Sequence, residues 1–408
     1  MVNLPKRFKF LLHPEDVHAD SRFESNVLVM GLSSMVATFG NTLWFYFLPV
    51  YYTEVYNASP VQISAIYAVW LAIAALGSAP AGVLADAYGR KRLIVLSSLI
   101  SAVAIFLFAA SDNLIVAAIA LPISGLGSSF FRVANTLVAE SSETGRRGRA
   151  FGTYSMLASI AAAISPILGG LTISNQGYLL LFMVGGSLTL IAAMVRALFL
   201  KETLPISERR SLSLHNLSDS LIGIRLMLHN RILYALILVY SMYNILADQN
   251  SFITPLYAKQ VLGFDPVTMG VLFSALLAVV AVSKLPFGRL SDRIGRRKTI
   301  IISWIGEISV VYVFVFAPRS IPAVAILGIA FWMLFGVMDG PALNAWVAES
   351  SDPKSRGLSM GMFYSITLLP TVPALLLSGY LFSIIPQLPF YANSVIGVVA
   401  LIMLVLLT

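Results

Sequence analysis

"GVLADAYGRKR" (Gly82–Arg92) is a short polar stretch between two long apolar runs, and "GRLSDRIGRRK" (Gly288–Lys298) echoes it further along the chain. What flanks these stretches decides the fold. The chain of 408 residues is 58% hydrophobic and 11% charged, with a mean hydropathy of +0.85. A soluble domain carries about a quarter charged residues. A protein core cannot hide this much apolar surface at that charge density, so lipid is the solvent for most of the chain. A span needs about 20 mostly apolar residues. Twelve such runs are read, near 27–52, 61–84, 93–111, 114–138, 150–172, 178–199, 232–257, 267–289, 299–317, 322–347, 358–381 and 390–408. Pro80, Pro122, Pro166, Pro286, Pro341 and Pro370 fall inside them; neighbouring spans re-satisfy the backbone groups a proline frees. No segment shows the strict alternation of a barrel strand. The expected fold is all-α and membrane-integral, with twelve transmembrane helices in two pseudo-symmetric six-helix halves.

The basic residues set the orientation. With the N-terminus inside, 22 of the 27 Lys and Arg fall in inner segments and two, Lys259 and Arg319, in outer loops. That is the positive-inside pattern, and it predicts a multi-pass protein of the inner or plasma membrane with both termini cytoplasmic. The net charge of +8 then faces anionic lipid. Nucleic acid is not expected as a partner, because the bases are spread over six loops. There is no cysteine, hence no disulfide framework or thiolate metal site. No metal-ligand spacing, nucleophile–base set or phosphate-cradling glycine loop is present. Neither an enzyme nor a cofactor is expected.

The chain repeats itself. At an offset of 206, Pro49 meets Pro255, Tyr51 meets Tyr257, Pro80 meets Pro286, Gly82 meets Gly288, Asp86 meets Asp292, and Gly89-Arg90 meets Gly295-Arg296. Further on the offset is 209, and "NTLVAESS" (Asn135–Ser142) meets "NAWVAESS" (Asn344–Ser351). Basic loops resemble one another by chance, but paired Pro, Gly, Asp and Asn in the same order do not. Periodic self-similarity of this kind marks duplicated units. The domains expected are a cytoplasmic segment 1–26, a first half 27–200, a linker 201–231 and a second half 232–408. Leu214, Leu217, Leu221, Ile224 and Leu228 recur at helical spacing in the linker, which predicts an amphipathic helix at the membrane surface. Each half has an even number of spans, so both enter from the same side, as parallel repeats do.

Within the polar stretch each residue type has a physical use. Gly82 and Gly288 let helix backbones approach closely. Gly89 and Gly295 permit positive φ in a tight turn. Asp86 and Asp292 can accept from the free amides of a neighbouring helix N-terminus. Arg90 and Arg296 project toward acids at other inner helix ends, with Glu140 and Glu349 at matching places. Such a set can close a cytoplasmic mouth and release it; it also serves as a static loop cap, and the loop by itself leaves both readings open.

Gly-x-x-x-Asp-x-x-Gly-Arg-(Arg/Lys), present twice, resembles the signature of the major facilitator superfamily, over essentially the whole chain. The resemblance implies alternating access around a central mid-membrane site, with the first, fourth, seventh and tenth spans lining it. It favours the gating role of Asp86, Arg90, Asp292 and Arg296. Ala87 stands where that family has a base, which Arg293 keeps, so the first clasp is expected to hold more weakly. "GTYSMLASIAAAISPILGG" (Gly152–Gly170) resembles the family's antiporter motif at Gly152, Pro166, Gly169 and Gly170, with Ala161 and Ser165 in place of glycines. Its small residues suit tight packing against a helix of the other half.

A charge inside the bilayer is a functional-site hypothesis. Asp248, on one face with Asn244 and Ser251, is the expected proton-coupling acid, with Asp339 as a second. Arg132, beside Ser128 and Asn135, is expected to pair with Asp339 across the halves or to hold an anionic substrate. Asn41, Trp44, Tyr243, Asn244 and Trp332 are expected in the cavity wall, which suits amphipathic molecules and cations. Glu307 is expected to pair with inner-loop bases, and Arg196 and Glu54 to anchor span ends. The function expected is proton-coupled export of a small amphipathic or cationic molecule by a monomer in lipid. Two alternatives stay open. One is an uptake symporter or uniporter for a small organic anion or sugar, and the other a transport-dead membrane receptor or regulator.

Overall fold

The computed structural model describes residues 21–142, 147–209, 230–247, 252–351 and 356–408, and among them the chain is helical with no strand. Residues 1–20, the linker helix expected over 214–228, and Asp248 with Ser251 lie outside the described residues.

The first half holds α1 (Ser21–Phe45), α2 (Leu48–Tyr56), α3 (Pro60–Leu76), α4 (Ser78–Tyr88), α5 (Arg90–Ala109), α6 (Leu114–Phe131), α7 (Val133–Glu140) and α8 (Arg147–Phe199). The second holds α9 (Arg231–Ala247), α10 (Ile253–Gln260), α11 (Pro266–Ile294), α12 (Arg296–Val315), α13 (Pro322–Gly336), α14 (Asp339–Ser350), α15 (Arg356–Leu368), α16 (Thr371–Ile384) and α17 (Leu388–Leu407). Among the described residues nine helices are long and apolar enough to cross a bilayer, and ten if the bent pair Pro60–Leu76 and Pro80–Tyr88 is one span. One of the nine, Gly148–Phe199, has 52 residues. At about 1.5 Å per residue it is far longer than a hydrocarbon core of about 30 Å. It turns at Gly177, where φ is +80°, and so contains the expected fifth and sixth runs. Of the expected seventh run, α9 and α10 are described, and 248–251 between them lie outside the described residues.

Local sequence explains where the helices begin. Ser59 and Gln62 form a capping box ahead of Pro60 at the first turn of α3, the arrangement that satisfies two free amides reciprocally. Asp265 caps α11 by accepting from the amides of Val267 and Thr268. α5 and α12 start directly after Gly89 and Gly295, whose φ values are +101° and +93°, a conformation that glycine adopts at no steric cost.

Small residues set the spacing of the first half. α1 runs between the two limbs of α8. A Cβ on Gly169 would lie 2.1 Å from the Leu43 carbonyl oxygen, and one on Gly40 would lie 2.8 Å from that of Gly185. Close approach of this kind supplies packing between helices where lipid offers no hydrophobic contrast.

The apolar core shows how the halves are arranged. One large cluster joins them, running from Leu43, Phe47 and Tyr52 through Phe252, Tyr257 and Phe273 to Phe314 and Phe390. At the opposite end, which carries the two basic loops, each half keeps a core of its own. Met30, Ala81, Leu93 and Leu137 belong to one, and Leu236, Ile300, Val347 and Leu404 to the other. The molecule is closed at its non-basic face and divided at its basic face.

Candidate functional site

Among the described residues, the closed face is built from close backbone approach, side-chain packing and an ion pair. The α8 segment around Pro166 and Gly170 lies directly on the start of α11. A Cβ on Gly170 would sit 2.2 Å from the Pro266 carbonyl oxygen, and one on Gly270 2.5 Å from that of Pro166. The Ile167 amide donates to Ser274 Oγ at 3.2 Å. α3 meets α16 where a Cβ on Gly379 would lie 2.1 Å from Ser64 Oγ. The Tyr46 ring stacks on Phe273 with centroids 4.5 Å apart. Lys259 Nζ lies 2.7 Å from Glu54 Oε1, and Tyr178 donates to the other oxygen of that carboxylate at 2.7 Å. Glu54 is therefore a cross-half latch residue rather than a simple span-end anchor. Both partners of this pair are about a third exposed, and exposed pairs contribute at most about 1 kcal/mol. The glycine contacts dominate the closure. Gly152, at the far end of the same motif, meets nothing within 4 Å.

At the basic face the two clasps are formed, each inside its own half. Arg90 reaches Asp86 at 2.8 Å and Glu140 at 3.1 Å. Arg296 reaches Asp292 and, at 2.9 Å, Glu349. Gly82 has open space where a Cβ would project, and Gly288 meets only Pro341 of α14 at 4.0 Å. So the clasps persist while the mouth is open, and in this state they brace helices within a half.

Asp86 does not cap a helix N-terminus, contrary to expectation. Glu202, just past the last span of the first half, accepts from the amides of Arg90 and Lys91 at 2.9 and 3.2 Å. Thr203 donates to Glu140 at 2.5 Å. A Cβ on Gly89 would lie 2.3 Å from Glu202. The free amides and positive dipole end of α5 explain the attraction. The first clasp is thus the more buried and the better partnered, the reverse of what Ala87 suggested. Arg90 is 10% exposed at its side chain and Arg296 23%. An acid directly after the final apolar run was the signal that would have pointed to Glu202.

The expected cavity residues divide. Arg132 caps the break between α6 and α7 and is exposed there with Ser128 and Asn135, while Ser129, Val133 and Ala134 are buried. An arginine within a span is stable where it faces water rather than lipid. In the second half, exposed Asn344 of α14 accepts from the Tyr364 hydroxyl. Asn41 is half-buried and bonds back to the Ala37 carbonyl at 2.8 Å. Trp44 is 2% exposed, among Phe108 and Phe182 inside the first half. Asn244 donates to the Thr367 carbonyl and its own carbonyl accepts from Thr371, bracing α9 to the chain of α15 and α16. Tyr243 and Trp332 are buried inside the second half. Trp44, Tyr243, Asn244 and Trp332 therefore pack within halves and do not form the wall between them. Knowing which spans line a cavity leaves the rotation of each helix open, and 100° of rotation exchanges cavity face for core.

Asp339 and Arg132 do not meet. Asp339 is 6% exposed and accepts from Trp304 Nε1 at 3.2 Å and from the Tyr240 hydroxyl at 3.4 Å. Glu307, expected near the inner-loop bases, is mid-helix in α12 and accepts from the Tyr243 hydroxyl at 2.6 Å. Trp304 and Tyr243 stack at 4.3 Å. In the first half Arg196 is 2% exposed. It donates to Ser33, Ser98 and Ser34 at 3.0, 2.6 and 3.0 Å and lies over the Phe131 ring. It is an internal brace rather than a surface anchor. No group of His, Cys, Asp and Glu among the described residues is arranged to hold a metal.

Comparison with known proteins agrees with this architecture. The profile of the Major Facilitator Superfamily matches residues 30–282 and 249–408. Multidrug resistance protein 2 of Bacillus subtilis (strain 168) is 28% identical over 336 residues, covering 81% of this chain and 82% of its own. Multidrug resistance protein MdtG of Salmonella typhimurium is 25% identical over 343 residues, covering 82% and 81%. Among solved structures, the nucleoside transporter NupG superposes with a TM-score of 0.78 over 93% of this chain and 99% of that one, at 15% identity.

Proposed function

The chain belongs to the Major Facilitator Superfamily, and from that premise we propose that it exports small amphipathic molecules, lipophilic cations among them, in exchange for protons. The observation that carries this reading is the paired geometry of the gates: one shared core at the non-basic face and separate cores at the basic face. By the positive-inside rule the basic face is cytoplasmic, so this is the state that takes up a molecule from inside. The relatives named as multidrug resistance proteins support the direction, as does the Gly170–Pro266 contact. Alternating access then separates the shared core and brings the two basic-side cores together.

Asp248 is the coupling acid in this reading. A proton taken up from outside neutralises it, and the energy difference between its two states biases the equilibrium between inward- and outward-open forms. The test is transport in proteoliposomes with an imposed pH gradient. Uptake of a lipophilic cation into acid-loaded vesicles of inverted orientation should require the gradient and be lost in Asp248→Asn.

One observation favours a second reading. Arg132 is exposed where α6 meets α7, and among the described residues no ion pair reaches it. A guanidinium there suits the carboxylate or phosphate of a small anion. Gradient-independent transport of organic anions that survives Asp248→Asn and is lost in Arg132→Ala would replace export of cations by this alternative.

A further inference from the structure

The second half contains two buried acids that the expected cavity does not use. Glu307 Oε2 is held by the Tyr243 hydroxyl, and Asp339 Oδ2 by Trp304 and Tyr240. Tyr240 and Tyr243 are neighbours at 5.7 Å, and Trp304 stacks on Tyr243. The donors to the two acids therefore pack against one another, and each is an uncharged side chain. Beside Glu307 lies a cavity of about 30 Å³ bordered by Tyr243, Trp304, Trp332, Asn393 and Ser394. That is room for one water with polar partners.

Among the described residues, a small set of polar and titratable side chains surrounds the pair. α9 presents Tyr240 and Tyr243, α13 presents Trp332, and α17 presents Asn393 and Ser394. Tyr364 of α15 lies toward Asp339. α11, which packs beside α13 and α14, carries Lys284 one turn before Gly288. Among the described residues no ion pair reaches either carboxyl. Glu307 is the twelfth residue of the 20-residue helix α12, about 16 Å along the axis from Arg296. Two carboxylates ionised together in an apolar site repel each other and lack solvation.

The first half makes a contrast. At the repeat offset Ser34 corresponds to Tyr240 and Ser98 to Trp304. There the polar nest is filled by Arg196, a group that keeps its charge. The matching place in the second half is the one that can exchange a proton.

We propose that Glu307 and Asp339 form a proton-binding site inside the second half, with Glu307 exchanging the proton through the adjacent cavity. Glu307 borders that cavity, whereas Asp339 is sealed by Tyr240, Trp304 and the first turn of α14. The proton arrives from bulk water by way of the cavity and rests on the Glu307 carboxyl, which also accepts from Tyr243. The site deepens the proton-coupled reading above. It adds a carboxyl remote from the central cavity, whose protonation alters packing among α9, α12 and α13.

The test needs no substrate, so a wrong substrate class does not affect it. Purified full chain in lipid nanodiscs is examined by infrared difference spectroscopy between neutral and alkaline pH. The expected result is a protonated-carboxyl C=O band at neutral pH that is lost in Glu307→Gln and kept in Asp248→Asn. A wild type without such a band overturns the proposal, as does a band that survives Glu307→Gln. Tyr243→Phe keeps both carboxyls and removes one hydrogen bond, so it serves if Glu307→Gln does not fold. Its band should shift in frequency, and an unshifted band overturns the assignment to Glu307. If these results hold while cation export fails, the proton site stands and the substrate reading falls.

Discussion

Gly170→Ala should force open the non-basic face. The added Cβ would lie 2.2 Å from the Pro266 carbonyl oxygen, 2.8 Å from its carbonyl carbon and 3.1 Å from the Val267 Cα. These are backbone atoms and cannot rotate away. To reach even 3.0 Å, α8 and α11 must separate by about 0.8 Å. Overpacking of this kind costs roughly 1–3 kcal/mol. The contact joins two rigid halves that part in the opposite state, so the cost falls on this state alone. The equilibrium then moves toward the outward-open form by roughly 5- to 150-fold. The chain has no cysteine, so Ser274→Cys is a single thiol. Ser274 is 5% exposed and sits in the same contact, accepting from the Ile167 amide. Its maleimide labelling rate reports how often the face opens. In the Gly170→Ala background that rate should rise by the same roughly 5- to 150-fold. Gly148→Ala, at a site with nothing within 4 Å, should leave it unchanged. Equal rates in the two backgrounds would refute the idea that this glycine contact holds the face shut.

Two further outcomes follow from the caps. Glu202→Ala removes the acceptor for the Arg90 and Lys91 amides and should cost roughly 0.5–2 kcal/mol, read as a lower Tm of the detergent-purified protein. Asp265 is held below its usual value of 3.8, first by the Thr268 hydroxyl and then by the backbone amides of Val267 and Thr268. A depressed folded value means that the cap's electrostatic contribution is complete above the unfolded value of about 3.9 and lost as pH falls through the folded one. The Tm gap between wild type and Asp265→Ala should be open at neutral pH and narrow below pH 3.8.

Much of the site's outline was legible because it depends on identity and spacing. Gly89 and Gly295 take positive φ, and Arg90 and Arg296 reach Glu140 and Glu349. The glycines stand directly before helix starts, and the two acids, 50 and 53 residues beyond their arginines, were placed by their matching positions in the repeat. Glu307 was harder to place. Sequence distance suggested the basic loop, but its helix face turns it toward Tyr243. Trp304 and Val311, which share that face and are buried, were the available clue. Glu54 and Lys259 are more than 200 residues apart and belong to different halves. No local pattern brings them together.

Composition, run length and the internal repeat were enough to determine a membrane-integral, duplicated, all-α chain, because lipid allows the backbone few ways to satisfy its own hydrogen bonds. They were enough as well for the Asp86–Arg90 and Asp292–Arg296 part of each clasp, since two residues four apart across one tight turn need no distant partner. The tertiary structure alone decided which face is closed, which acid caps α5, and which way each span is turned about its axis. Those outcomes rest on contacts between helices far apart in sequence. A rotation of one residue's 100° moves a side chain from the cavity to the core without changing the hydropathy of the run.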